Sequence, residues 1–380
     1  MGDLSKLRPS MYLGFAVASI GGPLALLTLF PSTAGGGVES AGLVVALALL
    51  LFAAPLAIWV HFSRTVVSPG GLSAFVAAAV GRRAALVHGW IWTFAYFLYL
   101  PYTITFVVYD LLAPVFPGID PYRRALELIL PVVIVLLVLG PVRPLLAGLG
   151  VLAAAQIVLL FVMSGVVLRH VGHVPVAAAD SHDTRRAAAG TALLFICASL
   201  PLYLGAEVRG GSRVVRRGLV LAVAVTGAAF LAAAFPLAAV PDTLLESAVP
   251  GASIAQAYSG RGLAVVVGLL TAASTLALVV AEYLALGRLL HWLHGLPLRP
   301  VLAWIAVPFV LGDAVSLIDP GRFYDDLLKP SLAALFVSQL IVFAVFPLFR
   351  RRLAALGLAV VAATLALWGL YTLFAGSAST

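Results

Sequence analysis

Residues 11–31 read MYLGFAVASIGGPLALLTLFP, an apolar run with Ser19-Ile20-Gly21-Gly22-Pro23 at its middle. Its length suits one crossing of the bilayer, which needs about 20 apolar residues. Its middle argues against one continuous helix. Pro23 has no N–H to donate, and two adjacent glycines have low helix propensity. The stretch therefore predicts a membrane helix broken at bilayer depth. Such a break survives only where its freed backbone groups are buried in protein or line a cavity. Lys6 and Arg8 before the run and Ser32-Thr33-Ala34-Gly35 after it have the outline of a secretion signal. The run is longer than the roughly 7–15 residues of a signal's apolar core, so it is expected to be retained.

The rest of the chain has the same character. Of 380 residues, 63% are hydrophobic and only 10% are Asp, Glu, Lys or Arg. A water-soluble fold carries about 25% charged residues to keep its surface wetted. Soluble enzymes, disordered chains and secreted disulfide scaffolds are thereby excluded. Cys197 is the one cysteine, which rules out an internal disulfide and a cysteine-based metal site. Apolar windows at 11–31, 40–62, 84–113, 125–142, 145–168, 187–208, 217–240, 262–290, 300–318, 327–349 and 353–375 predict eleven transmembrane helices. Runs such as Val132–Leu139 do not alternate apolar with polar residues, so a β-barrel is excluded.

The net charge of +8 records topology. With residues 1–10 in the cytoplasm, 15 of the 23 Lys and Arg residues fall at cytoplasmic ends. The C-terminus is then expected outside, in a bacterial-type plasma membrane. The basic residues sit at helix ends and give no reason to expect nucleic acid as a partner.

The windows divide into 11–168 and 187–349, five helices each, joined by an outer loop at 169–186. Residues 350–380 hold an added helix and the outer C-terminus. Two related units with odd span counts must lie upside down to each other, as in many secondary transporters. The leading window of the second half also carries a proline, in Phe195-Ile196-Cys197-Ala198-Ser199-Leu200-Pro201, where Pro201 is expected to free the Cys197 carbonyl. Exposed N–H groups at a half-helix start favour a carboxylate, and exposed carbonyls favour an ammonium.

Several stretches resemble amino acid permeases of the amino acid–polyamine–organocation (APC) superfamily. The run Glu207-Val208-Arg209-Gly210-Gly211-Ser212-Arg213 is similar to the family's Glu-Val-Lys-Asn-Pro-x-Arg after the sixth helix. Pro69-Gly70-Gly71, Phe75, Gly81 and Gly89-Trp90 resemble its run into the third helix. Ile20-Gly21-Gly22 resembles its first-helix break, and Arg288 with Gly295-Leu296-Pro297 its eighth-helix end. The chain departs from the family at Pro23, where a glycine is usual, and at Cys197 and Ser199. The resemblance implies a LeuT-like five-plus-five inverted repeat, with substrate between the broken first and sixth helices.

On that reading Ser19, Ile20, Gly21 and Gly22 are expected at a substrate carboxylate. Phe195, Ile196, Cys197 and Ser199 are expected at its amino group and side chain, and Tyr96 and Tyr99 form a wall. The breaks and the third window hold no carboxylate at mid-depth, which points to a neutral amino acid. The coupling ion is expected to be H+ or Na+; for Na+, Ser274 and Thr275 offer hydroxyls, or they bond back to their own helix. Glu282 is expected to titrate or to pair in a gate with Arg8 or Arg288, and Glu207 to cluster with Arg213. Asp110 and Asp313 are expected at helix ends, where an acid is cheap. His170, His173, His182, Asp180 and Asp183 are read as a solvated loop, with no metal or other cofactor expected. No Gly-x4-Gly-Lys-Ser/Thr loop is present to power transport with ATP. Two other classes stay open: a polytopic acyl or lipid transferase using Asp325-Asp326, and a non-transporting sensor or scaffold.

Overall fold

The computed structural model describes residues 6–31, 39–172 and 181–375. Among these the chain is helical throughout, and one bridge between Leu7 and Val208 stands in place of any sheet. The first window is split, as the sequence predicts. Helix α1 (Pro9–Ala18) ends before Gly21, and α2 (Gly22–Leu24) runs on as a π-helical turn, Ala25–Leu29. Gly21 stands between them in the left-handed region, at φ 68° and ψ 45°, which a residue with a Cβ enters only at a cost. Pro23 falls in the first turn of α2, the one part of a helix that needs no N–H from it.

Helix α3 (Ala41–Phe62) follows, then a ten-residue helix α4 (Gly71–Val80). Helix α5 (Arg82–Phe106) widens into a π-helical stretch (Val107–Leu112) and closes at Val115. Helices α6 (Arg123–Leu139), α7 (Val142–Val171) and α8 (Ser181–Leu193) come next. A 3-10 stretch (Ile196–Glu207) continues α8. Then come α9 (Gly211–Leu237), another ten-residue helix α10 (Pro250–Ser259), α11 (Arg261–His294), α12 (Leu298–Ser316), α13 (Pro320–Phe349) and α14 (Leu353–Ala375).

Nine helical stretches among the described residues are long and apolar enough to cross a membrane. The expected count of eleven differs at two windows. The first is cut into two short pieces by Gly21, and the fourth forms the 17-residue helix α6. Leu50, Val151, Trp304 and Leu353 are exposed on outer helix faces. Such apolar surface is an aggregation hazard in water and ordinary in lipid. The chain is an integral membrane protein.

Contacts between helix ends fix the direction of the chain. Arg82, opening α5, donates to the Trp292 and Leu293 carbonyls closing α11, at 3.1 and 2.8 Å. Ser212, opening α9, donates to the Ser63 carbonyl after α3 at 2.6 Å. At the opposite face Gly268 of α11 packs on Val115 at the end of α5. We call the face where α1 begins the near face and its opposite the far face. Small residues permit the closest crossing: a Cβ on Gly14 of α1 would lie 2.6 Å from the Gly150 Cα of α7.

One regularity was missed from the sequence. Helix α4, Gly81 and a 34-residue helical run from Arg82 match α10, Gly260 and a 34-residue run from Arg261. Both glycines are extended at positive φ, 97° and 85°. The α4–α5 unit starts at the near face and the α10–α11 unit at the far face. The signal was readable: Gly81-Arg82-x-x-Ala85-x-Val87 against Gly260-Arg261-x-x-Ala264-x-Val266.

Candidate functional site

The two helix breaks meet at a cavity of about 340 Å³. From the first break come Ile20, Leu24, Ala25 and Leu29, one face of α2 and its π turn. From the second come Leu193, Leu194, Ile196 and Cys197. Helix α5 adds Tyr99, Tyr102, Thr103 and Phe106, and α11 adds Thr275 and Leu278. The remaining wall is mostly apolar, from α13 and α14.

An aromatic ladder climbs α5 at helical spacing. Trp92 packs on Tyr96 at 4.0 Å between centroids, Tyr96 lies 5.8 Å from Tyr99, and Tyr99 lies 5.0 Å from Tyr102. Tyr102 meets Tyr324 of α13 edge-on at 5.5 Å. Beyond Tyr324, Leu29 and Phe106, toward the far face, a vestibule carries Asp242 and Glu246.

The near side is closed. Arg288 donates from Nε to Glu207 Oε1 at 2.6 Å and from Nη2 to Oε2 at 3.0 Å. Its Nη1 donates to the Leu284 carbonyl at 3.0 Å. The Leu7 N–H donates to the Glu207 carbonyl at 2.7 Å, which ties the start of the chain to the same place. Trp92 packs on Tyr203 at 4.6 Å beneath the cavity. Sequence reasoning set Glu207 beside Arg213. That is corrected: Glu207 takes Arg288, because the 3-10 stretch ends facing α11.

Of the expected substrate residues, Ile20, Ile196, Cys197 and Tyr99 line the cavity. The others stand behind them. Ser19 is buried and donates to the Ala16 carbonyl at 2.9 Å, and Gly22 faces Leu160, Phe230 and Thr226. Gly21 lies opposite Ser274 and Leu278. Phe195 sits among Phe52 and Phe230 at 5.5 and 5.1 Å. Ser199 donates to the Ile196 carbonyl at 3.0 Å and accepts from Gln339 Nε2 at 3.4 Å. Tyr96 is buried below Tyr99, with its hydroxyl in reach of the Cys197 thiol.

The second break also falls earlier than expected, at Leu194-Phe195, where α8 tightens into the 3-10 stretch. In a 3-10 helix each N–H faces the third carbonyl back. Pro201 therefore leaves Ala198 without its donor, where an α-helix would leave Cys197.

Thr275 bonds back to the Thr271 carbonyl at 3.0 Å, one of the two expectations for it. Ser274 is buried with its hydroxyl unpartnered. Arg8 is exposed at the start of α1. Glu282 is fully buried, and neither carboxylate oxygen has a partner. Its expected pairing with Arg8 or Arg288 is thus corrected, since Arg288 is already held by Glu207. Glu282 lies one turn beyond Leu278 on the same helix face, within electrostatic reach of Tyr96, Tyr99 and Cys197. A buried carboxylate in that position calls for a proton or a cation beside it.

Two polar residues, His88 and Glu127, escaped the sequence reading, and a third, Asp313, was read differently. His88 is buried, bonded at Nδ1 to Ser73 at 2.8 Å and at Nε2 to the Ser338 carbonyl at 3.1 Å, linking α4, α5 and α13. Glu127 and Asp313 are both fully buried. Asp313 was expected at a helix end in a cheap position. It does lie near the end of α12, but α6 covers it. Asp110 is exposed, in the π-helical stretch of α5. Of the loop between the halves, His173 and Asp180 lie outside the described residues, as do Ser32-Thr33-Ala34-Gly35. His170 stacks on Tyr258 at 4.9 Å. Among the described residues no group of three or more His, Cys, Asp or Glu is placed to hold a metal ion.

The fold has a counterpart among solved structures. A manganese transporter of Eremococcus coleocola, in complex with an aromatic bis-isothiourea substituted compound, is similar with a TM-score of 0.60 and 12% sequence identity. The likeness covers 96% of this chain and 88% of that one. At that identity it shows the fold alone, one that a membrane transporter also has. No protein-family model matches the chain, and no curated protein matches it in sequence.

Proposed function

We propose that this chain is a secondary active transporter of the APC type that carries a neutral amino acid by alternating access. The observation that carries the reading is the cavity at the junction of two broken helices, bordered by a vestibule toward the far face and by the Arg288–Glu207 pair toward the near face. The paired α4–Gly81–α5 and α10–Gly260–α11 units, running in opposite directions, support a LeuT-like five-plus-five inverted repeat. On that plan the chain spans the bilayer eleven times, with the N-terminus cytoplasmic. The apolar and aromatic wall suits a hydrophobic side chain, and the breaks offer backbone groups to an ammonium and a carboxylate. Glu282, one turn behind the cavity floor, is the carboxylate placed to carry a coupling proton.

Manganese is the cargo named for the structural neighbour. Here the cavity wall offers one thiol with hydroxyls and phenols, whereas a hard divalent ion favours several carboxylate or carbonyl oxygens. An amino acid is the better match.

Cys197 is the one cysteine and lines the cavity, so it reports access without any substitution. In proteoliposomes a small membrane-impermeant thiol reagent is expected to label Cys197 from the far face, and a transported amino acid to protect it. Uptake of labelled amino acids, with radioactive manganese as a parallel arm, identifies the cargo. Failure of every amino acid to enter or to protect Cys197 would overturn the reading. Glu282→Gln is expected to keep substrate protection of Cys197 while uptake stops responding to an imposed proton gradient, because an amide carries no exchangeable acid proton. An unchanged pH response would assign Glu282 a structural role.

A further inference from the structure

Three helices bring together polar groups that the transport cycle above does not use. Glu127 on α6 and Asp313 on α12 are both fully buried. Thr105 on α5 donates to Glu127 Oε1 at 2.7 Å, and the Ser316 hydroxyl of α12 donates to the same oxygen. Ser316 Oγ also lies 2.7 Å from the backbone carbonyl of Asp313, one turn earlier on α12, so the residue that contacts Glu127 is one turn from Asp313. Both carboxylate oxygens of Asp313 have no hydrogen-bond partner. The acids lie within electrostatic reach of each other.

The surrounding charges do not neutralise the pair. Tyr109, in the π-helical stretch of α5, is within hydrogen-bonding reach of Glu127, and Arg123 and Arg124 act on Tyr109 electrostatically. The Arg123 guanidinium lies 5.5 Å from the Tyr109 ring centroid and is bonded to the exposed Asp120. Two ionised carboxylates within electrostatic reach repel each other, and each also loses its hydration on burial. One positive charge between them relieves the repulsion and leaves a single net negative charge, which the Thr105 and Ser316 hydroxyls face.

We propose that Glu127 and Asp313 form a second cation site, holding one positive charge, a proton or a sodium ion, between the two carboxylates. The hydroxyls of Thr105 and Ser316 complete an all-oxygen set suited to a hard ion. If the occupant is a proton, it forms one O–H bond on one carboxylate and donates to the other, and nothing else is consumed. The site touches the cavity wall through α5, because Tyr102, Thr103 and Phe106, next to Thr105, line that wall. Helix α5 changes from α to π at Val107, immediately beyond. Such changes recur at functional sites.

Difference infrared spectroscopy on the full chain in lipid nanodiscs tests this without any transport measurement, so its failure is distinct from failure of the cargo reading. The expected result is a protonated-carboxyl band that Glu282→Gln leaves in place and that Asp313→Asn and Glu127→Gln each remove. Isotope labelling of aspartate carboxyls should shift the same band in the unmodified chain, so the assignment does not depend on a variant folding. If the site takes sodium, replacing choline with sodium should convert the pair to its ionised bands and raise the unfolding temperature, and Asp313→Asn should abolish both responses. If it takes only a proton, sodium should change nothing while the band remains. Absence of both a protonated band from this pair and any sodium response would overturn the proposal.

Discussion

A chain carrying Glu207→Gln is expected to lose its near-face closure. Arg288 has a side chain only 3% exposed, and its guanidinium is held by both Glu207 oxygens. Removing the carboxylate's charge leaves a buried cation facing an amide. Breaking a fully buried pair costs about 3–5 kcal/mol. Glu207 is itself 35% exposed, so solvent lowers that figure, and a cost of roughly 2 kcal/mol is expected. A cost of that size moves a two-state equilibrium about 30-fold. Uptake should fall by at least an order of magnitude, and Cys197 should become reactive from the near face. The double variant Glu207→Gln/Arg288→Met should recover part of the closure, because a buried pair replaced by apolar atoms leaves no stranded charge. Wild-type uptake and labelling in Glu207→Gln would show that this pair is not the gate.

The second large effect is expected at Gly21. Its φ of 68° is left-handed, and a residue with a Cβ there costs about 1–2 kcal/mol. A Cβ itself has room, since its nearest neighbours, Leu278 Cδ2 and Ser274 Oγ, are 3.9 Å away. Gly21→Ala therefore adds backbone strain and little crowding, and substrate binding should weaken about 5–30-fold. Gly21→Leu adds three more carbons toward Ser274 and Leu278 and should abolish uptake. Gly21→Asn should bind better than Gly21→Ala despite its larger side chain, because Asn tolerates this backbone region. Binding can be read from substrate protection of Cys197. Normal uptake by Gly21→Leu would place the substrate elsewhere, and an alanine variant outperforming asparagine would refute the backbone explanation.

The helical class and the first break were legible because they depend on local chemistry. An apolar run must close its hydrogen bonds within itself in lipid, and Gly21-Gly22-Pro23 cannot do so in one helix. Cys197 lines the cavity beside such a break, whereas Tyr99 reaches it from the middle of the continuous helix α5. The second break was displaced to Leu194-Phe195 because the choice between α and 3-10 winding rests on neighbours packed around residues 196–207. Short helices at 71–80 and 250–259 were read as connections, since ten residues are too few to cross a membrane and leave no hydropathy signal.

By itself the sequence determined that this chain lives in lipid as a bundle of helices and that its first crossing is interrupted at Gly21. Both follow from backbone hydrogen bonding in a medium without water. Only the tertiary structure decided the partners of the charged and acidic residues. Arg288 could have met Glu282, six residues away on its own helix, but it meets Glu207 from another. Glu282 is left alone behind the cavity floor, and Asp313 is brought against Glu127 from a helix distant in sequence. Electrostatic pairing is set by distances of a few ångströms between helices, and hydropathy along the chain carries no record of those distances.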